Sequence, residues 1–94
     1  MIIHVRDFFG EILLRGSLDV WGVIEAARRV GLPFLAHVDE YDDTVFNLIQ
    51  MQVVERELES LIERGECVAQ AEEILAALET VRARPHRYLV FYGS

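Results

Sequence analysis

Short apolar stretches of changing period run along this chain. Ile2 to Val5 and Glu11 to Arg15 are rich in Ile and Leu, and the Asp7-Phe8-Phe9-Gly10 stretch between them has turn-forming ends, which predicts a hairpin. One long strand bulged at Gly10 is the alternative. Val20, Val23, Ile24, Ala27 and Val30 then recur at helical spacing, with Ser17 in place for an N-cap and Asp19 in the first turn. Gly31-Leu32-Pro33 ends that helix, since glycine takes a left-handed C′ position without strain and proline prevents continuation. Phe34 to Val38 reads as a third strand, with Phe34, Ala36 and Val38 on one face and Leu35 and His37 on the other.

A second helix is expected from Asp42 or Asp43 to about Arg64, because either carboxylate can accept from the free amides of a first turn. Leu48, Met51, Val54, Leu58 and Leu61 form one seam along it, and Phe46, Ile49 and Val53 form another. The first half of this helix is thus apolar over a wide arc, which calls for a central position or a second packed surface. Past Gly65, a third helix carries Ala71, Ile74, Leu78 and Val81, and the two helices are expected to pair as an antiparallel hairpin. After Arg84-Pro85, Tyr88 to Tyr92 is uncharged and alternates aromatic with aliphatic residues, as an interior strand does. The expected fold is α+β: a single domain over residues 1–94, one sheet of about four strands covered by three helices, in the order β-β-α-β-α-α-β.

Charge adds a second pattern to this one. Twelve of the sixteen acids lie between Asp39 and Glu79, where only Arg56 and Arg64 oppose them, so this stretch carries a formal −10 in a chain of net charge −7. The segment Thr80 to Ser94 has Arg82, Arg84 and Arg87 and no side-chain acid. Such separation governs what approaches the molecule and from which side. It disfavours nucleic acid as a partner, because phosphate contacts need a basic surface. No apolar run reaches the ~20 residues that cross a bilayer, and the first residues lack the form of a signal peptide. A cytoplasmic protein, with no membrane partner, is the expectation. Cys67 is the single cysteine, which excludes an intrachain disulfide and a cysteine-based zinc site. All nine basic residues are arginine, a composition that suits a GC-rich, bacterial genome.

Chemistry concentrates at His37-Val38-Asp39-Glu40-Tyr41-Asp42-Asp43. Four carboxylates in five residues have the oxygens a hard cation needs, but the spacing is not that of a calcium-binding loop. His37 and Asp39 are close enough in sequence for the acid to orient the imidazole, yet no serine or cysteine nucleophile stands nearby. His4, in an apolar strand, reads as structural, and His86 as a loop residue. Cys67, at the start of the third helix, is either a small apolar seam residue or a thiol activated by the helix terminus. Glu55, Glu59 and Glu63 recur at i, i+4 and i+8, where like charges repel by a few tenths of a kcal/mol per pair. A basic partner would relieve that repulsion. No phosphate loop, cofactor motif, metal motif or catalytic-serine motif is present.

The leading expectation is therefore a non-catalytic protein-binding domain. Asp39, Glu40, Asp42, Asp43, Glu55, Glu59 and Glu63 would dock a basic protein, as an inhibitor, antitoxin or immunity protein does. Two alternatives remain: a homodimerisation module using the apolar arc of the second helix and the strand Tyr88–Tyr92, and a small hydrolase or metal-dependent domain centred on His37 and Asp39.

Overall fold

The computed structural model describes residues 1–93. Four strands form one antiparallel sheet in the order β2-β1-β4-β3, where β1 is Ile2–Asp7, β2 Ile12–Arg15, β3 Thr44–Phe46 and β4 Arg87–Tyr92. β1 and β2 make the expected hairpin, with a register irregularity between Val5 and Arg6. β4 lies inside the sheet. It pairs with β1 along its whole length, from Ile2 opposite Tyr92 to Asp7 opposite Arg87, and with β3 on its other edge. This α+β arrangement follows the expected class, with one more helix than expected.

The helices are α1 (Trp21–Val30), α2 (Pro33–Ala36), α3 (Met51–Glu63) and α4 (Val68–Arg82), and a 3-10 turn at Leu48–Gln50 leads into α3. The core lies between this layer and one sheet face. Ile3, Val5, Phe46, Leu89 and Phe91 of the strands meet Met51, Val54, Leu58 and Leu61 of α3 and Ala71, Ile74, Leu78 and Val81 of α4, all buried. Fully burying a side chain of this kind contributes about 1.5–3 kcal/mol. The expected seam of Met51, Val54, Leu58 and Leu61 is thus real from Met51 onward and α3 packs on α4, whereas of the other seam Phe46 lies in β3 and Ile49 is exposed before α3 begins. Gly31 and Gly65 take positive φ of 78° and 71° at the ends of α1 and α3, as expected of C′ glycines.

Three boundaries differ from expectation, each through a contact distant in sequence or a better local cap. Phe34–Val38 is not a strand. Pro33 opens the short helix α2, and the Glu57 carboxylate, reaching over from α3, accepts the amides of Phe34 (3.0 Å) and Leu35 (2.8 Å). Arg28 of α1 closes the far end of α2 by donating to the carbonyls of Ala36 (3.1 Å) and Val38 (2.8 Å). The second boundary is the start of α3. Asp42 and Asp43 do not cap it; β-branched Thr44 and Val45 enter the sheet, and Asn47 and Gln50 form a reciprocal capping box downstream. The third is Ser17, whose backbone and hydroxyl bind Glu73, while Asp19 accepts the Trp21 amide at the head of α1.

On the opposite sheet face stand the alternate residues His4, Arg6, Val90 and Tyr92. The His4 ring lies 5.2 Å from that of Tyr92 and is 2 % exposed. Its Nδ1 is 3.3 Å from an Arg6 nitrogen, while Nε2 has no partner among the described residues. Burial, then the charges of Arg15 and Arg6, hold the imidazole below its ordinary value of 6.5 against the opposing pull of Asp43. No helix of the described residues is long and apolar enough to cross a membrane.

Candidate functional site

The loop from His37 to Asp43 joins α2 to β3, and its acids divide into two groups. Asp39 turns its carboxylate inward on the loop: Oδ1 accepts the amides of Tyr41 (2.7 Å) and Asp42 (3.2 Å), while its own amide donates to the Thr44 hydroxyl (3.0 Å). Asp43 is tied to the sheet, 3.5 Å from Arg6 and accepting the Gly93 amide at 3.2 Å. A Cβ on Gly93 would overlap the backbone of Asp42, so the end of β4 and the loop approach as closely as a glycine allows. Asp39 and Asp43 shape the loop. Glu40 and Asp42 are exposed, and their carboxylates have no partner among the described residues.

The helix acids divide in the same way. Glu55 is half-buried and pairs with Arg82 of α4, so it holds the helix hairpin together rather than facing solvent. Glu59 and Glu63 are exposed, on a stripe with Gln52 and Arg56 at three-four spacing. Of the seven acids expected to bind a partner, Glu40, Asp42, Glu59 and Glu63 keep free carboxylates among the described residues, whereas Asp39, Asp43 and Glu55 are used within the fold.

Beside the acidic loop lies an apolar surface that acidity alone does not indicate. Tyr41 is 74 % exposed, Val45 52 %, Leu48 45 % and Ile49 88 %. All four precede the point where α3 becomes regular, and the capping box at Asn47 and Gln50 turns Leu48 and Ile49 away from the seams that Met51 and Val53 continue. Their signal in the sequence is the wide apolar arc, too wide for one helix to bury. Next to them a cleft of about 330 Å³ opens between Pro33, Phe34, His37, Phe46 and Gln50, with the Phe34 and Phe46 rings near parallel and 6.2 Å apart. Its apolar floor and small polar rim suit a partner side chain.

The same geometry separates the groups a catalytic reading needs. The Asp39 carboxylate is taken by loop amides and makes no hydrogen bond with His37 among the described residues. His37 stands at the rim of the 330 Å³ cleft, His4 packs on Tyr92, and His86 lies against Phe8. Among the described residues no three His, Cys, Asp or Glu side chains are placed to hold a metal ion. Cys67 is half-buried before α4 and lies against Gly22 of α1. The Tyr88–Tyr92 stretch cannot extend the sheet into a second subunit, because both edges of β4 are already paired. Such an extension would have to use an outer strand, β3 or β2.

Comparison of the chain with protein-family models, with curated proteins and with solved structures found no match. The chemistry of the surface therefore rests on its own residues.

Proposed function

We propose that this chain is a non-catalytic protein-binding domain whose contact surface is the segment 39–50, extended by the exposed acids of α3. The observation that carries this reading is the mixture within one short segment: exposed Tyr41, Val45, Leu48 and Ile49 beside the free carboxylates of Glu40 and Asp42. Apolar anchors within a charged rim are the anatomy of a specific protein interface. The anchors supply affinity when they lose contact with water. The acids, with Glu59 and Glu63, select a basic partner and raise the association rate. An inhibitor, antitoxin or immunity protein that covers the basic nucleic-acid site of a nuclease is the kind of activity this surface suits.

The test is a low-salt capture from an extract of the host cell with the wild-type chain, a Glu40→Lys/Asp42→Lys variant and an Ile49→Asp variant in parallel, followed by titration of the purified captured protein. Burying Ile49 is worth about 1.5–3 kcal/mol, so Ile49→Asp is expected to weaken binding roughly tenfold or more. The lysine variant is expected to slow association and flatten its salt dependence. Equal capture by all three chains would reject segment 39–50 as the contact surface.

A further inference from the structure

A second cleft, of about 410 Å³, lies at the other end of the sheet, between the β1–β2 turn and the loop from α4 to β4. The strand register sets this separation. β4 enters at Arg87, opposite Asp7 beside this cleft, and ends at Tyr92, next to the Gly93 that touches the acidic loop. The two surfaces are therefore independent sites.

Phe8, Phe9, Leu13 and Pro85 give the cleft apolar walls. The Phe8 ring packs edge-on against Phe9 at 5.5 Å and against the His86 imidazole at 6.0 Å. His86 holds that position with φ of 61°, a left-handed conformation costly for a residue with a Cβ. Phe8 is 68 % and Phe9 90 % exposed, so their hydrophobic surface is open to a ligand.

Polar groups in the cleft are of one predominant sign. Arg84 is exposed and has no protein partner among the described residues. Arg87, which also lines the cleft, is anchored by donating from Nη1 to the Thr80 carbonyl at 2.8 Å. The one acid, Asp7, has Oδ1 occupied by the amides of Phe9 and Glu11, both at 2.9 Å, and so braces the turn. Two arginines against one committed carboxylate make this a locally cationic site in a chain of net charge −7. Apolar walls with a few convergent polar groups define a small-molecule site, and arginine matches a carboxylate through paired, charge-assisted hydrogen bonds.

We infer that this cleft binds a small organic carboxylate with a flat hydrophobic body, the body lying against Phe8, Phe9 and Leu13 and the carboxylate meeting Arg84 and Arg87. A long peptide or a nucleic acid would extend beyond a cleft of about 410 Å³. A compact anion of about 10–20 heavy atoms would not, and clefts of ~300–1,000 Å³ accommodate such ligands.

The experiment titrates the isotope-labelled chain with indole-3-acetate, with its uncharged analogue indole-3-acetamide and with the cation tryptamine, following backbone amide resonances. Saturable shifts confined to Phe8–Leu13 and Arg84–Arg87 are expected with the carboxylate. Without a charge-assisted hydrogen bond to the arginines, the amide should bind about tenfold more weakly and tryptamine more weakly still. Arg84→Gln should lower carboxylate affinity by a similar factor while leaving the affinity for the amide unchanged, a result that a fold defect would not give. Phe9→Ala, at an exposed position, should weaken both ligands. Shifts that do not saturate, equal binding of acid and amide, or an unchanged affinity in Arg84→Gln would each overturn the assignment.

Discussion

Oε1 of Glu57 accepts the backbone amide of Leu35 at 2.8 Å across twenty-two residues of sequence, while Oε2 of the same carboxylate accepts the amide of Phe34. A carboxylate only 5 % exposed thus serves as the cap of a helix on another part of the chain. The free amides of a first turn are satisfied and the negative charge sits at the favourable end of α2. Since α2 leads into the acidic loop, Glu57 also sets where that loop begins.

Glu57→Ala is therefore expected to be strongly destabilising. It leaves two buried or half-buried amides without an acceptor, at about 1–3 kcal/mol for each such group. Glu57→Gln keeps one acceptor oxygen and should fall between Ala and wild type. Urea denaturation checks this: the midpoint should drop in both variants with little change in slope.

Glu73 performs a similar task before α1, accepting the Ser17 hydroxyl (2.8 Å), the Ser17 amide (3.2 Å) and the Leu18 amide (3.1 Å). Burial pushes its carboxyl up, but the hydrogen bonds from Ser17 and Leu18 together outweigh it and hold the group below its ordinary 4.5. A carboxyl depressed in the folded state contributes stability that is present above 4.5 and is lost as pH falls through the folded value. Unfolding midpoints measured from about pH 6 to pH 3 should fall less steeply in Glu73→Gln than in wild type. Parallel curves would remove Glu73 from the account of acid sensitivity.

His4 acts in a higher window. Its folded value lies below 6.5, so between the two values the unfolded chain binds a proton that the folded chain does not, and stability rises with pH across that interval. Wild type should thus lose stability as pH drops below about 6.5. His4→Gln should show a flatter dependence there, whatever its absolute stability, and the ratio of midpoints at two pH values reads it.

Gly93→Ala should push the end of β4 away from Asp42, because there is no room for a Cβ between them. The hydrogen bond from the Gly93 amide to Asp43 would break, at a cost of about 1–3 kcal/mol, the range for forcing atoms into a packed site. Amide hydrogen exchange is the discriminating measurement. Protection at Asp39–Asp43 should decrease, while that of α3 and α4 stays at the wild-type level.

What could be read from the sequence follows the range of each interaction. The hairpin, the C′ glycines, the α3–α4 pairing and the interior strand at Tyr88–Tyr92 are governed by local period and turn chemistry, and each is found. Phe34–Val38 alternates like a strand, and what makes it helical is Glu57 and Arg28, neither adjacent in sequence. The start of α3 was hidden by an overlap of patterns: Phe46, Ile49 and Val53 have helical spacing, yet Thr44, Val45 and Phe46 also suit a strand, and the Asn47–Gln50 box decides between them. At the candidate site the acids were visible as a charge run, but charge does not distinguish Glu40, which faces solvent, from Asp39 and Asp43, which hold the loop. The cleft at Phe8 and Arg84 joins residues from opposite ends of the chain, and only the pairing of β1 with β4 brings them together.

That pairing also bears on how the molecule comes to be folded. The two central strands are drawn from opposite ends of the described chain, so the middle of the sheet cannot exist until a loop of nearly the full length has closed, whereas α3 and α4 meet through neighbouring sequence. Long-range closure is slow and brings no contact energy until it is complete. The helix hairpin is thus poised to form early and brings β3 and β4, which flank it, toward one another, and it is β1 that joins only when the long loop closes. The acidic loop, anchored to β3, to Gly93 and through Asp43 to Arg6 of β1, then reaches its final shape only in molecules whose sheet is whole.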